Sequence, residues 1–207
     1  KRLIQLGENT KNIYVVGSLA LENNEKFIKN FNLLKKKFNF IIAKKKYFII
    51  TVHPCENIID TKKLISSVII TLKNFRDYNF IFTSPNQDDG YKTIINQIEK
   101  STYSNKNFFY HKSFGKEDFH TVLRYSSGII GNSSSAIIEA PYYKIPSINI
   151  GNRQKGRPFS STIYDIPIST KRLNEILKII TNPKFKLNTS KIYYKKNNSS
   201  SNNVIKI

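Results

Sequence analysis

The chain predicts an α/β domain in which helices cover both faces of a doubly wound, mostly parallel sheet. Three observations carry that expectation. Seven strand signals alternate with about six helix signals along the 207 residues. No hairpin turn joins consecutive strand signals, so each strand must be reached by a crossover. The run YFIITV at 47–52 is almost continuously apolar, the mark of a strand buried on both faces, and NFIFTS at 79–84 is the next strand signal. The alternation is Rossmann-like, and the length suits one such domain with a sizeable core.

In chain order, residues 1–12 are polar, and IYVVG at 13–17 is a first strand signal ending in glycine. Leu19 to Phe40 is a lysine-rich amphipathic stretch. Its Phe27, Phe31, Leu34 and Phe38 fall at helical spacing, which predicts a helix packed over the sheet. The 47–52 strand ends at His53-Pro54, and a helix is expected over 60–74. The 79–84 strand leads through PNQDDG into a helix over 88–100, with Asp88 and Asp89 as capping residues. NFFYH at 107–111 is the next strand, followed by KSFGKEDF and a helix over 116–126. Gly128–Ile130 and Pro146–Ile150 are further buried runs. Between them AIIEA is a helix pattern stopped at Pro141. STIYDIP at 161–167 is a last short strand, with a helix over 169–181. The expected division is a Rossmann-like domain over 1–185 and a polar, low-complexity tail over 186–207, containing NNSSSNN at 197–203.

Composition narrows the function classes. Hydrophobic residues make up 39% and aromatics 13%, which argues for a folded globule. The formal charge of +20 raises nucleic acid as a partner. The lysines are scattered, however, and no aromatic-interleaved stripe or nucleic-acid module accompanies them, so no nucleic acid is expected. Cys55 is the single cysteine, which excludes an internal disulfide and a zinc spacing and fits a cytoplasmic location. It reads as inert beside His53. No apolar run approaches the roughly 20 residues of a membrane span, and residues 1–12 are too polar for a signal peptide.

The stretch Gly128–Pro158, GIIGNSSSAIIEAPYYKIPSINIGNRQKGRP, carries the chemistry. A strand, a hydroxyl-rich turn, a helix start, a second strand and a basic loop succeed one another. Helix-leading amides, serine hydroxyls and Arg153, Lys155 and Arg157 suit an anion. A serine run before a helix is commonly only an N-cap. Here it follows GN at a strand end and is backed by a basic loop, which a cap alone does not explain. Glu139 lies four residues after Ser135, on the same helix face. A carboxylate there would repel phosphate unless it meets something else, and ribose hydroxyls are the natural partner. The stretch reads as a nucleotide site, with phosphate at Ser133 and Ser134 and ribose at Glu139. His53, at the carboxyl end of a central strand, stands where open α/β sheets collect ligands. A Ser-His-Asp hydrolase is disfavoured, because no GxSxG elbow surrounds Ser134 and no acid is placed to orient His53.

GNSSSAIIEAP, followed by IPSINIGNRQKGRP, resembles the hydrolysing UDP-N-acetylglucosamine 2-epimerases, whose wider family has the two-domain GT-B fold. QLGE at 5–8, VVGS at 15–18, TVHP at 51–54 and SPNQD at 84–88 fall in the family's order. The resemblance covers only the second, UDP-binding half of such an enzyme, so the amino-terminal domain with the acid/base carboxylates becomes an expected partner. It implies a UDP-sugar substrate, no cofactor or metal, and a homo-oligomer at full length. The product would be N-acetylmannosamine for sialic-acid-type sugars. A diacetamido-sugar epimerase, a glycosyltransferase or a non-catalytic nucleotide-binding module are the alternatives. By the same resemblance His53 faces the diphosphate and, as a cation, steadies departing UDP. Asn86 borders the sugar nucleotide, backbone groups at Ser113 and Phe114 hold uracil, and Arg153 and Arg157 meet the substrate. The family's YGDG-like turn is replaced here by YKKNNSSSNN. His111 and His120 belong to no motif and are read as structural or exposed.

Overall fold

A computed structural model describes residues 2–22, 24–41, 43–191 and 200–207. Six strands form one sheet: β1 (Tyr47–Thr51), β2 (Asn79–Phe82), β3 (Phe108–Tyr110), β4 (Gly128–Gly131), β5 (Ser147–Ile150) and β6 (Ile163–Ile166). The order is β3-β2-β1-β4-β5-β6 and every pairing is parallel. Winding therefore runs outward from β1 in one direction and from β4 in the other. The crevice between those two strands is the topological switch point.

Alternation within the strands divides the core into two layers. Phe48, Ile50, Phe80, Phe82, Ile130 and Ile148 face α3 (Ile58–Leu72), α4 (Tyr91–Ser104) and α7 (Thr170–Ile180). Tyr47, Ile49, Ile81 and Ile129 face α2 (Phe31–Lys37), α5 (Gly115–Tyr125) and α6 (Glu139–Tyr142). Side chains punctuate these helices. The Asn57 side chain accepts from Asp60 N at 2.8 Å to open α3, and Ser169 Oγ accepts from Arg172 N at 3.2 Å to open α7. α5 is tied to the chain before β1 by buried Asp118, which pairs with Lys29 at 3.0 Å and with Lys37.

Four expectations about elements are corrected. IYVVG at 13–17 forms no strand: Val15 is 98% exposed and Tyr14 57%, and these residues pair with none of the six strands. The long helix over Leu19–Phe40 is instead two single 3-10 turns, Leu19–Leu21 and Asn24–Phe27, and the seven-residue α2. Asn30 resets the chain between them, its side chain accepting from Asn32 N at 2.8 Å. At α4 the cap is Gly90, in a left-handed conformation at φ 87°, and neither Asp88 nor Asp89 caps with its side chain. AIIEA is not one helix stopped at Pro141. A 3-10 turn, Ser134–Ala136, precedes α6, and Pro141 lies within α6's first turn, where a missing N–H costs nothing.

At the chain ends, α1 (Arg2–Gln5) places Arg2 to donate to the Gly156 carbonyl. Inside the expected tail, Ser200–Ile205 forms α8, where Ser201 N and Oγ donate to the Glu22 carboxylate at 3.0 and 2.6 Å. Most of the YKKNNSSSNN replacement, and the start of NNSSSNN, lie outside the described residues.

Candidate functional site

The carboxyl ends of β1, β2, β3 and β4 converge on one cleft. Gly131 lets β1 and β4 approach there: its φ is 142°, and a Cβ built on it would lie 1.9 Å from the Thr51 carbonyl oxygen. Directly after it, buried Asn132 braces the residue across the crevice. His53 N donates to Asn132 Oδ1 at 2.7 Å, and Asn132 Nδ2 donates to the His53 carbonyl at 2.9 Å. The Asn132 carbonyl accepts from Gln154 Nε2 at 2.9 Å and from Arg153 Nη1 at 3.4 Å. The His53 loop, the serine turn and the basic loop are thus joined through one residue, by the side chain and the carbonyl of Asn132.

His53 is buried, and its Nδ1 accepts the Asn86 backbone N–H at 3.0 Å. An accepting Nδ1 carries no proton, so the ring is neutral with its hydrogen on Nε2. Burial, and then the charge of Arg153, hold the imidazole down to about 4, against an opposing pull from Asp88. This corrects the expected imidazolium: His53 is a neutral donor. Asn86 meets His53 through its main chain.

A stability consequence follows. The unfolded imidazole binds its proton near 6.5 and the folded one only near 4. Between those values the unfolded state holds more protons, so stability is complete above about pH 6.5 and drains away as pH falls toward 4. His53 alone is expected to remove about 2 kcal/mol between pH 7 and pH 5. His111 and His120, also lowered by burial, push the same way. Urea midpoints at the two pH values measure the loss, and His53→Gln should flatten the slope. An unchanged slope in that variant would assign the acid sensitivity elsewhere.

Beside this cluster lie two adjacent cavities. One, of about 190 Å³, is bordered by Thr51, Thr83, Ser113 and Phe114. The other, of about 470 Å³, is bordered by Lys116, His120 and Glu139. Gly115, Phe119 and Ser135 border both. Ser113 Oγ accepts from Gly115 N at 3.2 Å, which shapes the turn entering α5. Phe114 is buried with its ring 4.5 Å from that of His111. Glu139 Oε2 is buried with no hydrogen-bond partner, and burial pushes the carboxyl's pKa up against weaker downward pulls from the residue's own backbone N–H and then from Arg157. A costly unpartnered acceptor at a cavity wall is what a hydroxyl-bearing ligand would satisfy.

The serine turn differs from expectation. Ser133 Oγ accepts from Ser135 N at 3.3 Å and so caps its own turn. The helical piece that follows is only three residues, too short for a macrodipole to act on an anion. Any anion there would rely on local amides, hydroxyls and the two arginines. Those arginines divide: Arg153 acts on His53, and Arg157 on Glu139. The structure thus brings Ser113, Phe114 and Glu139 to the two adjacent cavities, and His53, Asn86 and Arg153 to the Asn132 brace. Ser133 and Ser134 lie between Asn132 of the brace and Ser135, which borders both cavities. Sequence reasoning missed Asn132, Gln154 and the cavity-facing position of His120, which is buried, with Nδ1 3.2 Å from Tyr143 Oη.

The 3-2-1-4-5-6 sheet with a cleft at its switch point defines a Rossmann-like domain of the GT-B kind. The chain belongs to the UDP-N-acetylglucosamine 2-epimerase family, whose model matches residues 1–207. It is 35% identical over 205 residues to the polysialic acid biosynthesis protein P7 of Escherichia coli, covering 95% of this chain and 51% of that protein. It is 36% identical over 196 residues to the GDP/UDP-N,N'-diacetylbacillosamine 2-epimerase (hydrolyzing) of Campylobacter jejuni, covering 91% and 49%. Among solved structures, the Methanocaldococcus jannaschii UDP-GlcNAc 2-epimerase in complex with UDP-GlcNAc and UDP superposes with a TM-score of 0.71 at 20% identity. That match covers 99% of this chain and 56% of the other. The chain spans about half the length of the curated relatives it matches. Among the described residues no helix is long and apolar enough to cross a membrane.

Proposed function

We propose that this chain is the UDP-binding half of a hydrolysing UDP-N-acetylglucosamine 2-epimerase, one that releases UDP and N-acetylmannosamine. The observation that carries the reading is Glu139: a buried, unpartnered carboxylate oxygen on a cavity that shares Ser135 with the one bordered by Thr51 at the switch point, in a chain of this family. Ribose hydroxyls donate to Glu139, and uracil lies against the turn at Ser113 and Phe114. The diphosphate meets Ser133, Ser134 and the arginines. The reaction removes the C2 proton and breaks the C1–O bond, leaving a glycal and UDP, and water then adds to the glycal. His53 Nε2–H donates to the diphosphate as negative charge gathers on it. The amino-terminal half supplies the carboxylates that move the C2 proton. A diacetamido sugar is the second reading, supported by the 36% identity to the Campylobacter enzyme.

Titration calorimetry tests it. UDP should bind about tenfold or more tightly than uridine, because charge-assisted contacts to phosphate are lost in the latter. Glu139→Gln removes a charged acceptor and should weaken UDP by about tenfold to a hundredfold. It should not lower the melting temperature, since it relieves a buried unpaired charge. Equal binding of UDP and 2′,3′-dideoxy-UDP by the parent chain would sink the ribose assignment.

A further inference from the structure

At the opposite end of the sheet a cavity of about 580 Å³ opens among the residues that precede β1 and β5 and those that follow α7. Lys45, Lys46 and Lys144 border it, against apolar surface from Tyr78, Pro183 and Phe185. None of its bordering residues is acidic, and among the described residues none of the three lysines forms an ion pair. β1 is five residues long, so roughly 17 Å of strand separates this cavity from the nucleotide cleft.

Part of the charge serves the fold. Lysines suit helix C-termini, and Lys45 Nζ donates to the Ser126 and Arg124 carbonyls at 2.7 and 3.4 Å where α5 ends. Burial of the ammonium, and then the charge of Arg124, hold it down to about 8 although the residue as a whole is exposed. Lys46 and Lys144 have no such duty. Lys46 Nζ only rests over the Tyr78 ring at 5.2 Å. Backbone conformation singles out the same place. Among the described residues the non-glycine positions with positive φ are Lys45, at 57°, and Lys144, at 54°. Glycine or asparagine holds such a turn at lower cost, so two lysines there point to a use for the side chain. The Ser127 hydroxyl, on the same cavity, is buried without a partner.

We infer that this cavity is a second ligand site, taking an organic phosphate whose anionic group lies among Lys45, Lys46 and Lys144 and whose apolar body lies against Tyr78, Pro183 and Phe185. Separate ammonium point charges without a guanidinium fork match a phosphate, which accepts from several directions, better than a planar carboxylate. The apolar wall calls for a carbon body that inorganic phosphate lacks. The inference rests on this geometry and stands whether or not the cleft binds UDP.

The probe is 1-naphthyl phosphate, titrated into the 207-residue chain by its fluorescence. Saturable binding is expected, unaffected by millimolar UDP and by Glu139→Gln, and absent for 1-naphthol. Lys144→Gly should weaken it about tenfold or more while leaving the melting temperature equal or higher, because glycine relaxes the positive φ. Lys46→Gln should weaken it similarly. A probe displaced by UDP, bound equally as the naphthol, or indifferent to both lysine variants would overturn the site.

Discussion

Gly131→Ala is expected to cost about 3–6 kcal/mol, a loss comparable to the whole stability of many domains. The added methyl would stand 1.9 Å from the Thr51 carbonyl oxygen and 2.6 Å from its carbon. Both are backbone atoms in the central pair of strands, and Thr51 O is already engaged by Asn132 N at 3.2 Å. Relief requires β1 and β4 to part at the Thr51–Gly131 step, where the crevice is built. The φ of 142° adds strain for any residue with a side chain. Gly7→Ala is the control, since its φ is 90° but nothing lies within 4 Å of the new Cβ. That change should cost only the conformational term, about 1–2 kcal/mol. Urea unfolding of both variants decides the matter. A Gly131→Ala midpoint equal to that of Gly7→Ala would mean that the strands accommodate the methyl.

What could be read from the chain before the structure depended on how local the signal is. YFIITV and NFIFTS are buried on both faces whatever their neighbours do, and they became β1 and β2. IYVVG has the same propensity and formed nothing, because a strand also needs an edge to pair with, and periodicity does not report edges. The amphipathic run from Leu19 was broken by Asn30, whose side chain prefers to cap rather than continue a helix. In the site, Glu139, Ser113 and Phe114 stood out through a motif and a resemblance, and all three line the cleft. Asn132 was hidden although it lies inside the same motif. Its value comes from β4 lying beside β1 in the register Thr51↔Gly131, a long-range fact that spacing along the chain cannot express. His53 follows the carboxyl end of β1, but its charge could not be read from residue type, since protonation depends on burial and on the Asn86 amide.

Asn132 should therefore be the residue whose loss couples stability to nucleotide binding. It is 1% exposed, and its amide satisfies both main-chain polar groups of His53, the N–H at 2.7 Å and the carbonyl at 2.9 Å. Asn132→Ala leaves those two groups buried and unpaired, which is expected to cost about 2–5 kcal/mol. Asn132→Asp is nearly isosteric and keeps the acceptor for His53 N–H. It also turns the donor that faced the His53 carbonyl into an oxygen, so one contact survives and the other becomes repulsive. Its cost should approach that of alanine despite the preserved shape. Both variants free the His53 loop, and the imidazole then leaves the Asn86 amide and regains water. Its pKa should rise from about 4 toward the ordinary 6.5, a shift that a merely structural role would not produce. UDP affinity should fall with it, because a mobile donor must be ordered on binding. Histidine-selective NMR titration, run beside urea unfolding and UDP calorimetry, reads all three effects. If Asn132→Ala lowers stability yet leaves the His53 titration and UDP affinity as they are in the parent chain, Asn132 holds the strands and does not position His53.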